Sequence, residues 1–348
     1  MEFNLNIEKI NLNNKNDKEE VISFLEAFQL QLDNNIDYTV VVRINDKIKA
    51  TASKSKNVFK CFAISTELQG EGIANKLVTV LNDKLFEEGI YHSFIFTKPS
   101  NLDLFKDIGY KFVAEGQGVV LLESGIGTIN TYLDKLILKY NIDKEKKHSS
   151  IVMNCNPFTK GHRYLIETAA KNSEHVLVFI VEEDKSLFPF SVRYNLVKEG
   201  VIDLKNVTVI PGGEYIISSA TFPAYFLREE GKVLRGYTSL DAGIFGKYFC
   251  KSLNINTRFV GEEPYCKVTR EYNEALKDIL QNYAVELRVI ERKSEEGVKI
   301  SASMVRNIIK NKSVDDIINL VPDVTFKFLK SEEAYSIIGK IKQSNSVH

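Results

Sequence analysis

Long apolar runs, paired cysteines and net charge are all missing from this chain of 348 residues. Lys+Arg and Asp+Glu number 46 each, so no overall field draws the protein to DNA, RNA or an anionic membrane; only a local basic pocket is compatible with that balance. The four cysteines, Cys61, Cys155, Cys250 and Cys266, include no C-x-x-C pair, which argues against a disulfide framework and against a zinc ribbon. One of the longer apolar runs, residues 176–181, falls far short of a membrane span. Residues 1–14 alternate polar and apolar without the basic-then-apolar order of a secretory signal. Internal repeats, low-complexity tracts and His/Asp/Glu clusters with dedicated metal-site spacing are absent too. The expectation is a reduced, cytoplasmic protein with no nucleic-acid or membrane partner.

What is present suffices for real cores. Hydrophobic residues make up 44% and charged residues 26%, and the length allows two ordinary domains. The first third reads as mixed α+β: a helix over 16–30, strands over 38–43 and 47–53 joined at Asn45-Asp46, a strand over 57–65, and a helix over 72–88. A strand over 93–97, a short helix over 101–107 and strands over 110–114 and 119–122 follow. A helix over 128–140 leads into a charged stretch from Asp143, read as a solvated linker. The second half alternates strands (149–154, 175–181, 206–210, 257–260, 285–291) with helices (161–171, 192–201, 240–253, 269–282, 302–310), and further helices close 314–342. Apolar strands alternating with helices indicate a parallel Rossmann-like sheet covered on both faces, with ligands at the carboxyl ends of its strands. The expected division is 1–126, a helix and linker over 127–147, and 148–348.

The chemistry concentrates at the first strand of the second half. It ends in Asn156-Pro157-Phe158-Thr159-Lys160-Gly161-His162, which runs into a helix. A helix N-terminus offers N–H groups and partial positive charge to phosphate. Gly161 allows close approach of backbone to a nucleotide, Lys160 adds a mobile charge, and His162 can donate a hydrogen bond to a phosphate oxygen as charge builds. Thr159-Lys160-Gly161-His162 resembles the (His/Thr)-x-Gly-His signature of the nucleotidyltransferase superfamily. Ile300-Ser301-Ala302-Ser303-Met304-Val305-Arg306 resembles its second signature, placed to grip the β- and γ-phosphates of ATP with Ser301, Ser303 and Arg306. Thr159 replaces the more basic His and takes a lesser role.

Three more segments sharpen the match: residues 233–241 around Arg235 and Asp241, 258–264 around Gly261 and Glu262, and 268–273. With 156–162 they resemble the citrate lyase ligase family over nearly the whole chain. That resemblance implies use of ATP with Mg²⁺ and acetate to acetylate the thiol of the citrate lyase acyl carrier subunit, borne on a CoA-like prosthetic arm, with AMP and pyrophosphate released. It implies His162, Thr159, Lys160 and Arg306 as catalytic residues, and Asn156, Phe158, Gly161, Arg235, Gly261, Glu262, Ile300, Ser301 and Ser303 along ATP. Open alternatives remain at several positions. Glu262 lies along adenosine or at a plain strand exit. Arg235 meets phosphate, the acetate carboxylate or a structural carboxylate. Asp241 binds ribose, metal or water, or simply caps a helix. Cys155 reads as a small buried residue.

In the first half, Gln69-Gly70-Glu71-Gly72-Ile73-Ala74 resembles the pyrophosphate-holding loop of GNAT-type acetyltransferases, and Leu104 to Tyr110 resembles the closing segment of that fold. Gln69, Gly70, Gly72 and Ala74 are therefore candidates to hold the CoA-like arm, against a scaffold without ligand. Three other functions share parts of this evidence. One is an adenylyltransferase acting on a phosphorylated cofactor precursor such as nicotinamide mononucleotide or phosphopantetheine. The others are a non-catalytic nucleotide or CoA sensor, and an acetyltransferase working through the first domain alone.

Overall fold

A computed structural model describes residues 6–33, 35–182, 186–217, 222, 226–227, 230–262, 267–292, 294–295 and 298–344. Glu263, Pro264 and Cys266, part of the reading above, lie outside the described residues. The chain divides into two compact units, Met1–Tyr132 with Phe222–Leu240, and Leu133–Thr221 with Asp241–His348.

The first unit is built on strands β1 (Ile7–Lys9), β2 (Tyr38–Ile44), β3 (Lys47–Ser55), β4 (Val58–Ile64), β5 (His92–Thr97), β6 (Lys111–Gly116) and β7 (Val119–Gly125). They form one mixed sheet in the order β1-β2-β3-β4-β5-β7-β6. Strand β1 was not anticipated: three residues carry no periodicity, and it exists by pairing with β2. The β2–β3 turn places both Asn45 and Asp46 at positive φ (50° and 59°), the twist a tight hairpin needs. Helices α1 (Lys15–Ala27), α2 (Ile73–Glu87) and α3 (Leu102–Asp107) accompany the sheet. Ile73, Leu77, Leu81 and Leu85 stand at i, i+4 spacing on α2 and join Val40, Phe59, Ile95 and Leu122 in the core. Strands β4 and β5 are parallel and pair at Val58↔Phe94 and Phe59↔Ile95, so the ladder between them does not extend along their carboxyl halves. The hairpin, crossover helix, parallel strand and closing hairpin follow the GNAT-like order expected.

The second unit carries an all-parallel sheet of β8 (His148–Met153), β9 (Val176–Ile180), β10 (Val207–Pro211), β11 (Ile255–Gly261) and β12 (Glu286–Ile290) in the order β10-β9-β8-β11-β12. Every residue of β9 is buried, as a strand covered on both faces requires. Helices α5 (Lys160–Lys171), α6 (Phe190–Gly200) and α8 (Lys267–Gln281) belong to this unit, while α4 (Ile129–Tyr140) and α7 (Glu230–Ile244) each contain a unit boundary. Ile151, Phe158, Ile166, Val178, Val197 and Phe259 fill the sheet core. The short hairpin β13 (Ser294–Glu295) and β14 (Val298–Lys299) precedes α9 (Ala302–Asn311). With α10 (Asp323–Lys330) and α11 (Tyr335–Gln343), α9 makes a second cluster around Val305, Ile309, Leu329 and Ile337. Among the described residues no helix is long and apolar enough to cross a membrane.

Helix α7 departs most from expectation. It starts at Glu230, ten residues before the expected start at 240, and continues as a π-helical turn, Phe245–Cys250. Gly236 reads as a loop residue in sequence. In the helix it serves a close approach, because a Cβ there would meet the Gln117 carbonyl at 3.1 Å.

Candidate active site

The chain winds β8, β9 and β10 toward one edge of the parallel sheet and then returns to lay β11 and β12 on the other side of β8. The topological switch point therefore lies between β8 and β11, where a crevice opens at the carboxyl ends of the strands. Both signature segments converge there.

The loop after β8 is buried through residues 155–159, and its Asn156–Pro157 peptide is cis. Thr159 is the N-cap of α5: its Oγ1 accepts the His162 N–H at 3.3 Å, while His162 Nδ1 accepts the Thr159 N–H at 3.1 Å. This reciprocal capping fixes the imidazole. With Nδ1 an acceptor, the proton of the neutral ring is assigned to Nε2, which is left to donate. Burial, aided by the charge of Arg292, pushes the His162 pKa down to about 4. The ring is thus a neutral hydrogen-bond donor at physiological pH.

The second segment begins with Ser301 capping α9, its Oγ accepting the Met304 N–H at 3.1 Å, with Ser303 Oγ 3.0 Å away. It touches the first at two points. Arg306, buried on α9, donates from Nη1 to the Asn156 carbonyl at 2.5 Å, and its burial lowers the guanidinium pKa without removing its charge. At Gly161, a Cβ would lie 2.9 Å from the Ile300 carbonyl. The glycine is thus required for the two segments to meet, a different reason from the close nucleotide approach read in the sequence.

Other candidates also take definite places. Phe158 is fully buried, lying 6.2 Å from the His162 ring at 16° and against Gly200, and Ile300 is buried in the C-terminal cluster. The side chains of Phe158 and Ile300 are part of the core, so any contact of theirs with a nucleotide would come through the backbone. Asn156 is buried as well, its Oδ1 accepting the Phe188 N–H at 3.1 Å. The Lys160 N–H is taken by the Leu320 carbonyl at 2.9 Å, and its side chain lines a cleft of about 410 Å³ with Arg163, Glu167, Glu199 and Asp323. The free N–H groups expected at this helix start are therefore largely committed to the chain itself.

Gly261 ends β11 and Glu262 follows it. The Gly261 carbonyl accepts from Asn273 Nδ2 at 3.3 Å, and the Glu262 carboxylate pairs with Lys299 at 2.5 Å. Arg292 Nε donates to the Glu262 carbonyl at 2.7 Å. Lys299 and Arg292 were missed in the sequence, although Arg292 stands just past β12 and Lys299 just before the second signature. Asp241 lies inside α7 rather than at a helix start, so it is no cap. It is buried, accepts from the Tyr272 hydroxyl at 2.7 Å, and burial raises its pKa against the pull of Arg258. Arg235 stands exposed on α7, in the stretch that packs with the first unit. Cys155 is buried, its thiol pKa pushed up by desolvation, which suits a packing role.

In the first unit, Gln69, Gly70 and Gly72 are exposed, and Gly70 and Gly72 have φ of 87° and 69°. Gly72 is the N-cap of α2, and Ala74 is buried on the first turn.

The family model described as citrate lyase ligase C-terminal domain matches residues 148–329. The [citrate [pro-3S]-lyase] ligase of Escherichia coli (strain K12) is 37% identical over 318 residues, covering 90% of each chain. That of Klebsiella pneumoniae is 36% identical over 323 residues, covering 91% of this chain and 94% of its own. Among solved structures, an acetyltransferase of the GNAT family from Staphylococcus aureus Mu50 is similar to 35% of this chain over 99% of its own, at 14% identity and a TM-score of 0.31. With relatives this similar over nine-tenths of its length, and with both signatures joined at the switch point of its parallel sheet, the chain belongs to the citrate lyase ligase family.

Proposed function

We propose that this protein activates acetate with ATP and transfers the acetyl group to the thiol of a citrate lyase acyl carrier subunit, switching the lyase on. In the first step an acetate oxygen attacks the α-phosphorus of ATP. A new P–O bond forms, the bond to the β-phosphate oxygen breaks, and pyrophosphate leaves. His162 donates from Nε2 to the phosphate oxygens gaining charge, and keeps its proton throughout. Arg306 with Ser301 and Ser303 holds the leaving pyrophosphate. Gly261 and Glu262 border the adenosine. The protein's share is positioning and charge neutralisation. In the second step the carrier thiolate attacks the acetyl carbon, and AMP departs. A cytoplasmic location is part of this proposal.

Mg²⁺ enters as part of the substrate. Among the described residues no group of three or more His, Cys, Asp and Glu is placed to hold a metal; the charge of Arg292 acts on His162, Arg306 holds the Asn156 carbonyl of the same loop, and Lys299 pairs with Glu262. Such a donor set suits polyphosphate and does not suit a resident cation. Exposed Gly70 and Gly72, at the start of α2 where the N-cap brings no side-chain hydrogen bond, support a further reading in which this loop receives the CoA-like arm of the carrier.

The observation that carries the proposal is the junction of the two signatures, Arg306 on Asn156 and Gly161 on Ile300. The test is acetate-dependent exchange of pyrophosphate into ATP. Exchange should require acetate and fall on the order of 10²–10³-fold in His162→Ala, the range for loss of one preorganised donor. Exchange that ignores acetate but responds to a phosphate ester would instead make the protein an adenylyltransferase.

A further inference from the structure

Arg193 heads the fully buried side chains by volume, and the steps above make no use of it. A guanidinium is costly to bury unless its donors find acceptors. For Arg193, on α6, the acceptors include backbone carbonyls from three segments. Nε donates to the Phe188 carbonyl at 2.9 Å. Nη1 donates to the Asn154 carbonyl at 2.8 Å, to Asn154 Oδ1 at 2.6 Å and to the Val181 carbonyl at 2.8 Å. Asn154 opens the loop after β8, Val181 directly follows β9, and Phe188 leads into α6. One planar fork thus ties together the ends of two neighbouring strands and the approach to a helix.

The bonds continue beyond that point. The Phe188 N–H donates to Asn156 Oδ1 at 3.1 Å, and the Asn156 carbonyl receives Arg306 Nη1 at 2.5 Å. Two buried arginines therefore grip the same irregular loop, one from α6 and one from α9. We infer that Arg193, Phe188 and Asn156 form a hydrogen-bonded relay that sets where Arg306 stands, which makes Arg193 a positioning residue for the adenylation step. The inference rests on Arg306 holding the leaving pyrophosphate. A lysine at 193 keeps the charge but has one nitrogen in place of Nε and Nη1, so it cannot hold the Phe188 carbonyl, served by Nε, together with those of Asn154 and Val181, served by Nη1.

The experiment is a double-mutant cycle in the full chain. Arg193→Lys, Arg306→Lys and the pair are compared by pyrophosphate–ATP exchange at saturating acetate, with thermal unfolding run alongside. Arg193→Lys should lower kcat by roughly 10²-fold, the scale of an ångström-level misplacement, while the KM for ATP moves less than about threefold. The pair should be no slower than Arg306→Lys alone, because the relay acts through Arg306. If Arg193→Lys does not fold, Asn156→Ala cuts only the link to Phe188, and the same cycle is run with it. Losses that multiply in the pair, or exchange that survives Arg193→Lys intact, overturn the relay. Absence of exchange in the unmodified protein overturns the adenylation reading itself, a separate and recognisable failure.

Discussion

Each unit has a loop that runs into a helix at the carboxyl end of a strand, and the two junctions are built in opposite ways. At the start of α2, residues 69–72 are all exposed, Gly72 caps without a side chain, and Gly70 and Gly72 have left-handed φ. At the start of α5, residues 155–159 are all buried, Thr159 and His162 cap each other, and the Lys160 N–H is bonded to Leu320. The first junction can wrap a flexible ligand with backbone. The second has committed most of its backbone donors to holding its own shape, and it presents side chains of fixed geometry and protonation. That is the difference between a place suited to hold an anion and one suited to stabilise charge that appears only during reaction.

The comparison breaks most readily at Gly161. Gly161→Ala puts a Cβ 2.9 Å from the Ile300 carbonyl, so the two signatures must separate by a few tenths of an ångström. Exchange should fall by at least about tenfold while the protein stays folded, since the effect is geometric misplacement at the reacting groups. A variant with unimpaired exchange would show that the contact between the signatures is incidental. Phe158→Ala should act differently. Removal of a fully buried ring costs about 3–5 kcal/mol of stability, read from denaturant unfolding, and activity is lost with the fold. A stable Phe158→Ala protein with weakened ATP binding would support its assignment as a nucleotide contact.

Gly72 tests the other junction. Its Cβ would meet nothing within 4 Å, yet φ of 69° strains any L side chain, most of all a β-branched one. Gly72→Val should cost roughly 1–2 kcal/mol of stability. By the carrier-arm reading it weakens acetyl transfer to the carrier several-fold, and pyrophosphate exchange stays within about twofold of the unmodified rate, because the two junctions serve different steps. If both steps persist unchanged, α2 is scaffold.

Legibility in the sequence followed the physics of each feature. Elements with strong periodicity, such as α2 or the fully apolar β9, were placed to within a residue or two, because their burial follows directly from the pattern. The start of α7 was not, since the tertiary approach that admits Gly236 into a helix leaves no local trace. At the candidate site, His162, Ser301 and Arg306 were named from the resemblance of two short segments to known signatures, and the fold brings those segments together. Arg193 could not: one arginine on an amphipathic helix reads as solvated, and its partners are carbonyls, which every residue has. Phe158 and Ile300 lie within the same segments and have buried side chains. A signature records what its chain segment needs in order to fold as well as what touches the ligand.

The smallest expected effect concerns pH. An ordinary histidine titrates near 6.5, whereas burial, and secondarily Arg292, pushes His162 down to about 4. Between these values the unfolded chain binds the proton and the folded one does not. His162 therefore makes stability rise with pH across about 4 to 6.5; its destabilising contribution is absent above 6.5 and grows as pH falls toward 4. Exchange should show no limb near pH 6.5 attributable to this ring, since the neutral Nε2 donor persists throughout. NMR titration of the His162 ring measures this directly. In Arg292→Gln the apparent pKa should climb only part of the way back, because desolvation is the larger cause. A His162 pKa at or above 6.5 in the unmodified protein would mean that the ring is solvated and able to charge, and the contrast between an open junction at α2 and a closed one at α5 would fail at its central residue.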